Sequence, residues 1–279
     1  MIPVLNEAAL LPDQLAALAQ QTYRDRWEVL VCDNGSTDDT REVAMEWQQR
    51  LPQLRLIDAS ERKGLNHARN VGVEHASGDF IVFCDGDDVV SPGWLEALAW
   101  AAPRADVVAG ALETAHFTGA DDLVPREDAV NHLSVKHEFL VGIPGGNCGV
   151  WSTVARDLGW DEAFTFGGSD IEFSWRAQLG GYEIAFEPKA VIHVRPRHRL
   201  GQTARQWFQY GKSGGQLYRA FRARGMPRSS TTAALRGWAW ILVHGFDLFR
   251  SRTRRIWVRR AAYRAGRLAG SVRSGVLFL

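Results

Sequence analysis

The sequence predicts an α/β fold with a mostly parallel sheet and a basic helical extension at its C-terminal end. Short apolar stretches typical of strands recur about every 25 to 30 residues, and stretches with helical periodicity separate them. Polar residues directly follow several of these strands, at the edge where parallel sheets bind ligands. The charge also changes along the chain: from Arg195 onward there are 18 Arg, one Lys and a single acid, Asp247.

Hydrophobic spacing predicts the elements of the α/β part in order. Leu11, Leu15 and Leu18 recur at helical spacing, whereas 28-EVLVC-32 is typical of a short buried strand. The turn residues Asn34 and Gly35 separate that strand from the next helix. The predicted strands are 2–5, 28–32, 54–58, 80–84, 107–112, 184–186 and 190–193, and the predicted helices are 8–21, 40–50, 66–76, 94–101 and 170–179.

Composition and cysteine usage narrow the class of protein. The three cysteines, Cys32, Cys84 and Cys148, are far apart in apolar settings and form neither a zinc spacing nor a disulfide framework. The first residues lack the basic region and apolar core of a secretory signal, and no run of 18 apolar residues predicts a membrane-spanning helix. We therefore expect a protein of the reducing cytoplasm.

Three carboxylates follow the predicted strand at 80–84: Asp85, Asp87 and Asp88, with one glycine between them. At ~4 Å two like charges near a protein surface repel by roughly 4 kcal/mol, so the cluster needs compensation. Hard divalent ions prefer carboxylate oxygens and leave positions open for phosphate oxygens. We interpret Asp85 and Asp87, a D-x-D pair, as ligands of Mg²⁺ or Mn²⁺; the alternative is a polar strand end.

The segment 33-DNGSTDD-39 is explained largely as a turn followed by a helix cap. Asp33 is the exception, because it ends the strand and precedes the turn. A carboxylate in that position can accept a hydrogen bond from the N–H of a nucleobase.

Six stretches carry a further pattern: 2-IPVLNE-7, 33-DNGSTDDT-40, 63-KGLNHARNVGVEHASGD-79, 80-FIVFCDGDD-88, 144-PGGNCGVWSTVARDLGWDEAF-164 and 168-GSDIEFSWRAQLGGYEI-184. In this order and spacing they resemble the family 2 glycosyltransferases, which have the GT-A fold, a Rossmann-like fold of nucleotide-diphospho-sugar transferases. The resemblance covers about residues 1–194. It implies a catalytic domain over 1–195 and an extension over 196–279. The family usually has several more apolar residues before its I-P-V, so the first strand is expected to be short.

The resemblance implies a donor site for a nucleoside-diphosphate sugar, with UDP favoured as the nucleotide. Asp85 would face the ribose, and Asp87 would hold the Mn²⁺ or Mg²⁺ that bridges the two phosphates. Lys63 and Arg69 would lie near the donor. The base and ribose pocket would be lined by Pro3, Val4, Asn6, Glu7 and Asp33.

The resemblance also implies a general base. Asp170 matches the second acid of the family's Glu-Asp pair and would remove a proton from the acceptor hydroxyl in a single, inverting displacement. Ser169 stands where the family has the first acid, which leaves any role of that position open. The stretch 169-SDIE-172 also has the pattern of a capping box at a helix start.

Other positions match parts of the family's site. His193 follows the closing strand, where related enzymes place a metal-binding histidine, and it is the candidate third ligand. Gly146, Asn147 and Trp151 resemble the acceptor-side loop, with core packing as the alternative for the tryptophan. Glu172 is either structural or an acceptor contact.

The C-terminal segment suggests a membrane surface. The stretch 235-LRGWAWILVHGFDLF-249 is apolar and Trp-rich but too short to span a bilayer, and 250-RSRTRRIWVRR-260 follows it. We expect a helix lying on an anionic membrane, hence a peripheral location on the inner face of the cell membrane and a lipid-linked or cell-envelope glycan acceptor. Packing on the catalytic domain is the alternative, and no recognised module supports nucleic acid.

Two other functions are open from the sequence. A nucleotidyltransferase would need a Gly-rich, basic phosphate loop near the N-terminus, which 2-IPVLNEAAL-10 lacks. A degenerate, non-catalytic transferase fold could serve as a membrane- or protein-binding module. The acids at 33, 85, 87 and 170 argue against that second alternative.

Overall fold

The structure is a computed structural model that describes residues 1–117, 130–165, 167–197, 199–251 and 253–279. Two units make up the chain. The first consists of Met1–Ser134, Val141–Thr165 and Ser169–Pro196, and the second of Val135–Leu140, Phe166–Gly168 and Arg197–Leu279. The two short internal segments of the second unit were not anticipated from the sequence.

Strands and helices alternate through the first unit, and the predicted α/β class is confirmed. The strands are β1 (Ile2–Val4), β2 (Val29–Asp33), β3 (Leu54–Asp58), β4 (Phe80–Cys84), β5 (Val89–Val90), β6 (Val107–Glu113), β7 (Ser134–Lys136), β8 (Leu140–Gly142), β9 (Asn147–Trp151) and β10 (Ile184–His193). The helices are α1 (Leu11–Ala19), α2 (Thr40–Trp47), α3 (Leu65–His75), α4 (Trp94–Ala101), α5 (Ser152–Leu158), α6 (Ser169–Leu179), α7 (Leu200–Phe221), α8 (Thr231–Val243) and α9 (Arg254–Ser274).

The sheet has a parallel half and a mixed half. Strands β1, β2 and β3 are parallel neighbours. The backbone of Met1 joins them to β4, because its amine donates to the Val82 carbonyl and its carbonyl accepts the Cys84 N–H. The order then continues β4-β9-β6-β10-β5. Strand β9 is antiparallel to β4 and β6, and β5 is antiparallel to β10.

Strand β9 corrects the sequence-based expectation, which assigned its first residues to a loop. Because β9 is antiparallel to β4, it starts at the carboxyl edge of the sheet and ends at the opposite edge. Trp151 is paired with Phe80, the first residue of β4. Its indole N–H donates to the Ala102 carbonyl, and its ring lies edge-on to Phe80. These contacts fit the core-packing alternative for Trp151.

Two apolar clusters cover the two faces of the sheet. Alternate residues of one strand point to opposite faces, so Leu30 and Cys32 belong to one cluster and Val29 and Val31 to the other. Side chains of α3, α5 and α6 complete the first cluster, and side chains of α1, α2 and α4 complete the second. The unit is therefore a three-layer α/β/α arrangement.

The three cysteines lie inside these clusters, as the sequence suggested. All three are free and buried. Burial raises the pKa of each thiol to about 12. The thiols therefore stay protonated at neutral pH and act as small apolar core groups.

The second unit is helical. Helices α7 and α9 run side by side in the same direction, and glycines bring their backbones together. A Cβ on Gly211 would lie 2.0 Å from the Tyr263 carbonyl oxygen, and one on Gly266 would lie 2.0 Å from the Phe208 carbonyl oxygen. Among the described residues, no helix combines the length and apolarity that crossing a membrane requires.

The glycine contact gives a test of the second unit. Gly211→Ala is expected to lower the free energy of unfolding by about 1–3 kcal/mol, because the new methyl group overlaps backbone atoms of α9. Gly201→Ala is the matched control on the same helix, since no atom lies within 4 Å of its added Cβ. The control should be neutral or stabilising by up to about 1 kcal/mol. Urea denaturation of the full chain measures both, and equal effects would contradict the close contact.

Candidate active site

Charged side chains converge at the carboxyl edge of the sheet, where β1, β2 and β4 end. The loop after β1 carries Asn6 and Glu7, β2 ends on Asp33, and Asp85 follows β4 directly. The antiparallel β9 begins at the same edge, immediately after Gly146. The fold therefore brings together residues that are far apart in sequence.

Hydrogen bonds tie the loop after β1 to the loop after β2. Asn6 has a left-handed backbone, with φ of 57°. Its side-chain oxygen accepts the Thr37 N–H at 2.7 Å, and its own N–H donates to the Ser36 hydroxyl at 3.0 Å. The next N–H, of Glu7, donates to the Thr40 hydroxyl at 2.8 Å. Asn6 thus fixes the position of the loop that contains Asp33.

Asp33 is completely buried, and both of its carboxylate oxygens are engaged. One accepts the Ser36 N–H at 3.1 Å, and the other accepts a guanidinium N–H of Arg41 at 2.9 Å. This hydrogen bond raises the pKa of Arg41. Pro3 and Val4 are buried in β1, with Val4 opposite Asp33. The sequence did not predict this contact between Arg41 and Asp33.

The three carboxylates after β4 divide into two kinds. Asp88 is buried, and its side chain accepts the Arg195 N–H at 2.9 Å. Asp85 and Asp87 are partly exposed at the edge of the sheet. The structure thus separates one internal carboxylate from the D-x-D pair that the sequence assigned to a metal.

A buried glutamine holds the turn that carries this pair. The amide nitrogen of Gln14 on α1 donates to the Asp85 carbonyl at 3.0 Å, and its oxygen accepts the Val90 N–H at 3.0 Å. Sequence reasoning missed Gln14. The available signal was a polar residue on the same helical face as Leu11, Leu15 and Leu18.

Two glycines let carboxylates approach the backbone closely. A Cβ on Gly86 would lie 2.0 Å from the Glu7 Oε2, and one on Gly146 would lie 2.3 Å from the Asp85 Oδ2. Gly146, assigned by the sequence to the acceptor side, therefore lies directly against the Asp85 carboxylate. The Glu7 and Asp85 side chains both offer carboxylate oxygens, which hard divalent cations prefer as ligands.

His193, the candidate third metal ligand, lies beside Glu113 and His116. Its Nδ1 is 2.8 Å from the Glu113 Oε2, and its ring stacks on His116 with 4.2 Å between the ring centroids. Within the described ranges, no group of three His, Cys, Asp or Glu side chains is placed to hold a metal ion. The structure therefore does not assemble the three-ligand set that included His193.

Arg69 is a buried cation between the carboxylates. It is only 3% exposed, and its Nη2 donates to the Gly145 carbonyl at 3.1 Å and lies 3.6 Å from the Asp85 Oδ1. The guanidinium stacks over the Trp160 ring at 4.3 Å, and Trp160 stacks in turn on Phe173. Trp160 therefore serves as a packing platform for Arg69.

Asp170 lies on the first turn of α6, beside the same segment. Its Oδ1 accepts the Ile171 N–H at 2.9 Å. A Cβ on Gly145 would meet the Asp170 Cβ at 2.9 Å and the Arg69 Nη1 at 3.2 Å, so Gly145 is the point where the two side chains meet. Burial raises the pKa of Asp170, and the Ile171 N–H and the charge of Arg69 only partly oppose that rise. Asp170 is thus a stronger base than an ordinary aspartate.

Lys63 lies in a loop that Asn34 positions. The Asn34 side chain donates to the carbonyls of Ala59 and Arg62 and accepts the Gly64 N–H at 2.7 Å. This loop borders a cleft of about 260 Å³. The cleft is lined by Arg62, Lys63, Gly64, Leu65, Asn66, His67, Glu162, Phe164 and Thr165.

Asn147, assigned by the sequence to the acceptor side, is held inside the sheet by hydrogen bonds. It is completely buried. Its amide nitrogen donates to the carbonyls of Ala111 and Ala190, at 2.7 and 2.9 Å, and its oxygen accepts the Trp94 indole N–H at 2.8 Å. Asn147 thus links β9 to β6, β10 and α4.

Glu172 is likewise directed into the protein and not toward an acceptor. It is 3% exposed and forms an ion pair with Arg176, one helical turn later. Arg176 also donates to the carbonyls of Leu158 and Gly159. The pair therefore joins α6 to the end of α5.

Comparison with known families decides the identity. The family described as Glycosyl transferase family 2 matches residues 1–133, and Glycosyl transferase family group 2 matches residues 80–265. Glycosyltransferase AglE of Haloferax volcanii is 30% identical over 223 residues, which cover 78% of this chain and 73% of AglE. The chain belongs to glycosyltransferase family 2.

Two further comparisons concern the length and the fold of this family 2 chain. Poly-beta-1,6-N-acetyl-D-glucosamine synthase of Staphylococcus epidermidis is 21% identical over 230 residues, which cover 78% of this chain and 54% of the synthase. The chain therefore spans about half the length of that relative. The mannosyltransferase PcManGT from Pyrobaculum calidifontis, solved with GDP-Man and Mn²⁺, has a TM-score of 0.67 at 21% identity, over 96% of this chain and 85% of that one. This likeness confirms the GT-A fold.

The glutamine brace gives a test of the site's construction. Gln14→Met is expected to lower the free energy of unfolding by about 1–3 kcal/mol, because the buried Val90 N–H loses its partner. Gln20→Met is the matched control, at an exposed position at the end of the same helix. Denaturant unfolding compares the two variants. A Gln14→Met variant as stable as the control would contradict the bracing role.

Proposed function

We propose that this family 2 glycosyltransferase moves a sugar from a nucleoside-diphosphate sugar to a hydroxyl acceptor by a metal-dependent, inverting displacement. The observation that carries the proposal is the meeting of Asp170, Arg69 and Asp85 around Gly145 and Gly146 at the carboxyl edge. A base, a fixed cation and a D-x-D carboxylate are the groups that such a displacement uses. The GDP-Man and Mn²⁺ bound by PcManGT support this class of donor and ion.

The nucleotide would bind at the ends of β1 and β2. Asn6, Glu7 and Asp33 lie there, in loops that hydrogen bonds hold together. Asp33 would accept from the nucleobase if the partly exposed Arg41 moved aside, because Asp33 is fully buried with both oxygens engaged in this structure. Lys63, on the next loop, would add a positive charge near the donor. UDP is the favoured nucleotide of this proposal.

The divalent ion would be held by Asp87, with Asp85 beside it. Both are partly exposed carboxylates at the edge, and oxygen ligands suit Mn²⁺ and Mg²⁺. When bound, the ion supplies positive charge that offsets the charge developing on the departing diphosphate. His193 stays a candidate for completing the ion's ligand set, because Glu113 contacts its Nδ1 and metal-bound histidines usually have a carboxylate on their other ring nitrogen.

Asp170 would act as the general base. The acceptor oxygen forms a bond to the anomeric carbon, the bond from that carbon to the diphosphate oxygen breaks, and the hydroxyl proton passes to the Asp170 carboxylate. The raised pKa of Asp170 favours this proton transfer. One displacement inverts the anomeric configuration.

Arg69 would position the two carboxylates. It is held from two sides, by the Gly145 carbonyl and by the Trp160 ring. Its positive charge lowers the repulsion between Asp85 and Asp170. The charge of Arg69 therefore favours the ionised form of Asp170.

The acceptor would be a hydroxyl of a glycan, lipid-linked or in the cell envelope. The name of the staphylococcal relative, a polysaccharide synthase, supports a glycan product. The names of the relatives and neighbours differ in their sugars, so we propose the class of acceptor only.

Removing the proposed metal ligand tests the ion's role. Asp87→Ala is expected to lower transfer and donor hydrolysis by roughly a hundredfold or more, because the diphosphate charge is no longer offset. Asp25→Ala, at an exposed loop position, is the control and should keep wild-type turnover. A panel of UDP-, GDP- and dTDP-sugars with Mn²⁺ or EDTA provides the assay. Unchanged turnover of Asp87→Ala, with or without Mn²⁺, would refute the metal site.

The pH profile tests the base. A base works only when ionised, so the transfer rate should fall as pH drops through the pKa of Asp170, which burial raises above the usual aspartate range. Asp170→Asn is expected to bind donor normally but to transfer roughly 10²–10⁴-fold more slowly, without that acidic limb. Donor titration and pH–rate measurements check both. Normal transfer by Asp170→Asn would refute the base assignment.

A further inference from the structure

The second unit presents an exposed apolar surface along one side of α8 and the short 3₁₀ helix that follows it, Gly245–Phe249. Leu235 and Leu242, seven residues apart, share one side of α8, and Phe246 and Phe249, three residues apart, share one side of the 3₁₀ helix. We call this surface the α8 ridge. It consists of Leu235 (68% exposed), Leu242 (79%), Val243 (76%), Phe246 (79%) and Phe249 (84%).

The opposite side of α8 is fixed within the unit. Ala234 and Ile241 are buried, at 3% and 6% exposure. The Trp257 indole N–H of α9 donates to the Ile241 carbonyl at 3.0 Å. The helix therefore has apolar residues on two sides. Contacts within the second unit cover the side of Ala234 and Ile241 and leave the α8 ridge exposed.

Positive charge surrounds the ridge. Arg236 lies on α8, and Arg250 and Arg254 follow the 3₁₀ helix; all three are exposed. The single acid from Arg195 onward, Asp247, accepts the hydroxyl of Thr253 at 3.0 Å. Exposed leucine and phenylalanine side chains bordered by arginines are typical of a surface that meets anionic lipid.

We propose that the α8 ridge inserts into the interface of an anionic bilayer, with α8 lying in the membrane plane. The 13 residues of α8 make a helix of ~20 Å, shorter than the ~30 Å hydrocarbon core, so the helix matches the surface of the membrane. Phe246 and Phe249 would enter the acyl boundary, and the arginines would contact phosphate groups.

Charge argues for lipid over a second copy of the chain as the occupant. Two ridges facing each other would bring together two surfaces bordered by arginines, with only two acids, Glu138 and Asp247, in each second unit. An anionic lipid surface is instead complementary to that charge. Each well-placed arginine is expected to raise membrane partitioning roughly fivefold at low salt.

Vesicle co-sedimentation of the full chain tests the proposal, without nucleotide or sugar, so its outcome is independent of transferase activity. The wild type should bind vesicles of phosphatidylcholine mixed with phosphatidylglycerol, bind pure phosphatidylcholine more weakly, and lose binding as salt rises. The double variant Phe246→Ser/Phe249→Ser should bind the anionic vesicles at least roughly tenfold more weakly than the wild type does. Both side chains are exposed, so thermal unfolding should be unchanged.

Val272→Ser is the matched control. Val272 is 84% exposed, as Phe249 is, but it lies near the far end of α9 from Arg254. The Val272→Ser variant should bind the anionic vesicles as the wild type does. Equal binding of the wild type to both kinds of vesicle, or wild-type binding by the double variant, would overturn the proposal. Concentration-dependent self-association in lipid-free buffer that the double variant abolishes would also overturn it, by assigning the ridge to a second copy.

Discussion

The gathering of carboxylates at one edge of the sheet is the constraint on which the rest of the structure depends. Asp33, Asp85 and Asp170 come from distant parts of the chain. Like charges that a fold brings together repel each other. The first unit answers this repulsion with two arginines: Arg41 binds Asp33, and Arg69 lies beside Asp85. The fold thereby holds acids together at the edge where parallel strands end.

The surroundings of each acid then suit it to a different task. Asp33 is buried and engaged by Arg41 and Ser36. Asp85 is partly exposed, as a metal or ribose contact requires. Burial raises the pKa of Asp170, as a base requires. In the proposed function the same side-chain chemistry would serve recognition, ion binding and proton transfer, and the difference lies in what surrounds each carboxylate.

Local patterns predicted the α/β class and most elements, because apolar periodicity and turn residues are local signals. They also placed the D-x-D pair directly after a buried strand, where the structure has it, and the metal role of the pair stays a prediction. Strand β9 was missed because Gly145 and Gly146 before it and Gly149 within it are typical of loops, and its pairing depends on the distant β4 and β6. The structural roles of Asn147 and Gln14 depend on partners more than 30 residues away, which no local pattern reveals.

Crystallography of the chain with Mn²⁺ and a nucleoside diphosphate tests the central claim most directly. Manganese is identified by its anomalous signal, independently of any activity. The account predicts an anomalous peak within coordination distance of the Asp87 carboxylate, with the diphosphate against it and the base near Asp33. A manganese peak and nucleotide density that lie away from both aspartates would contradict it.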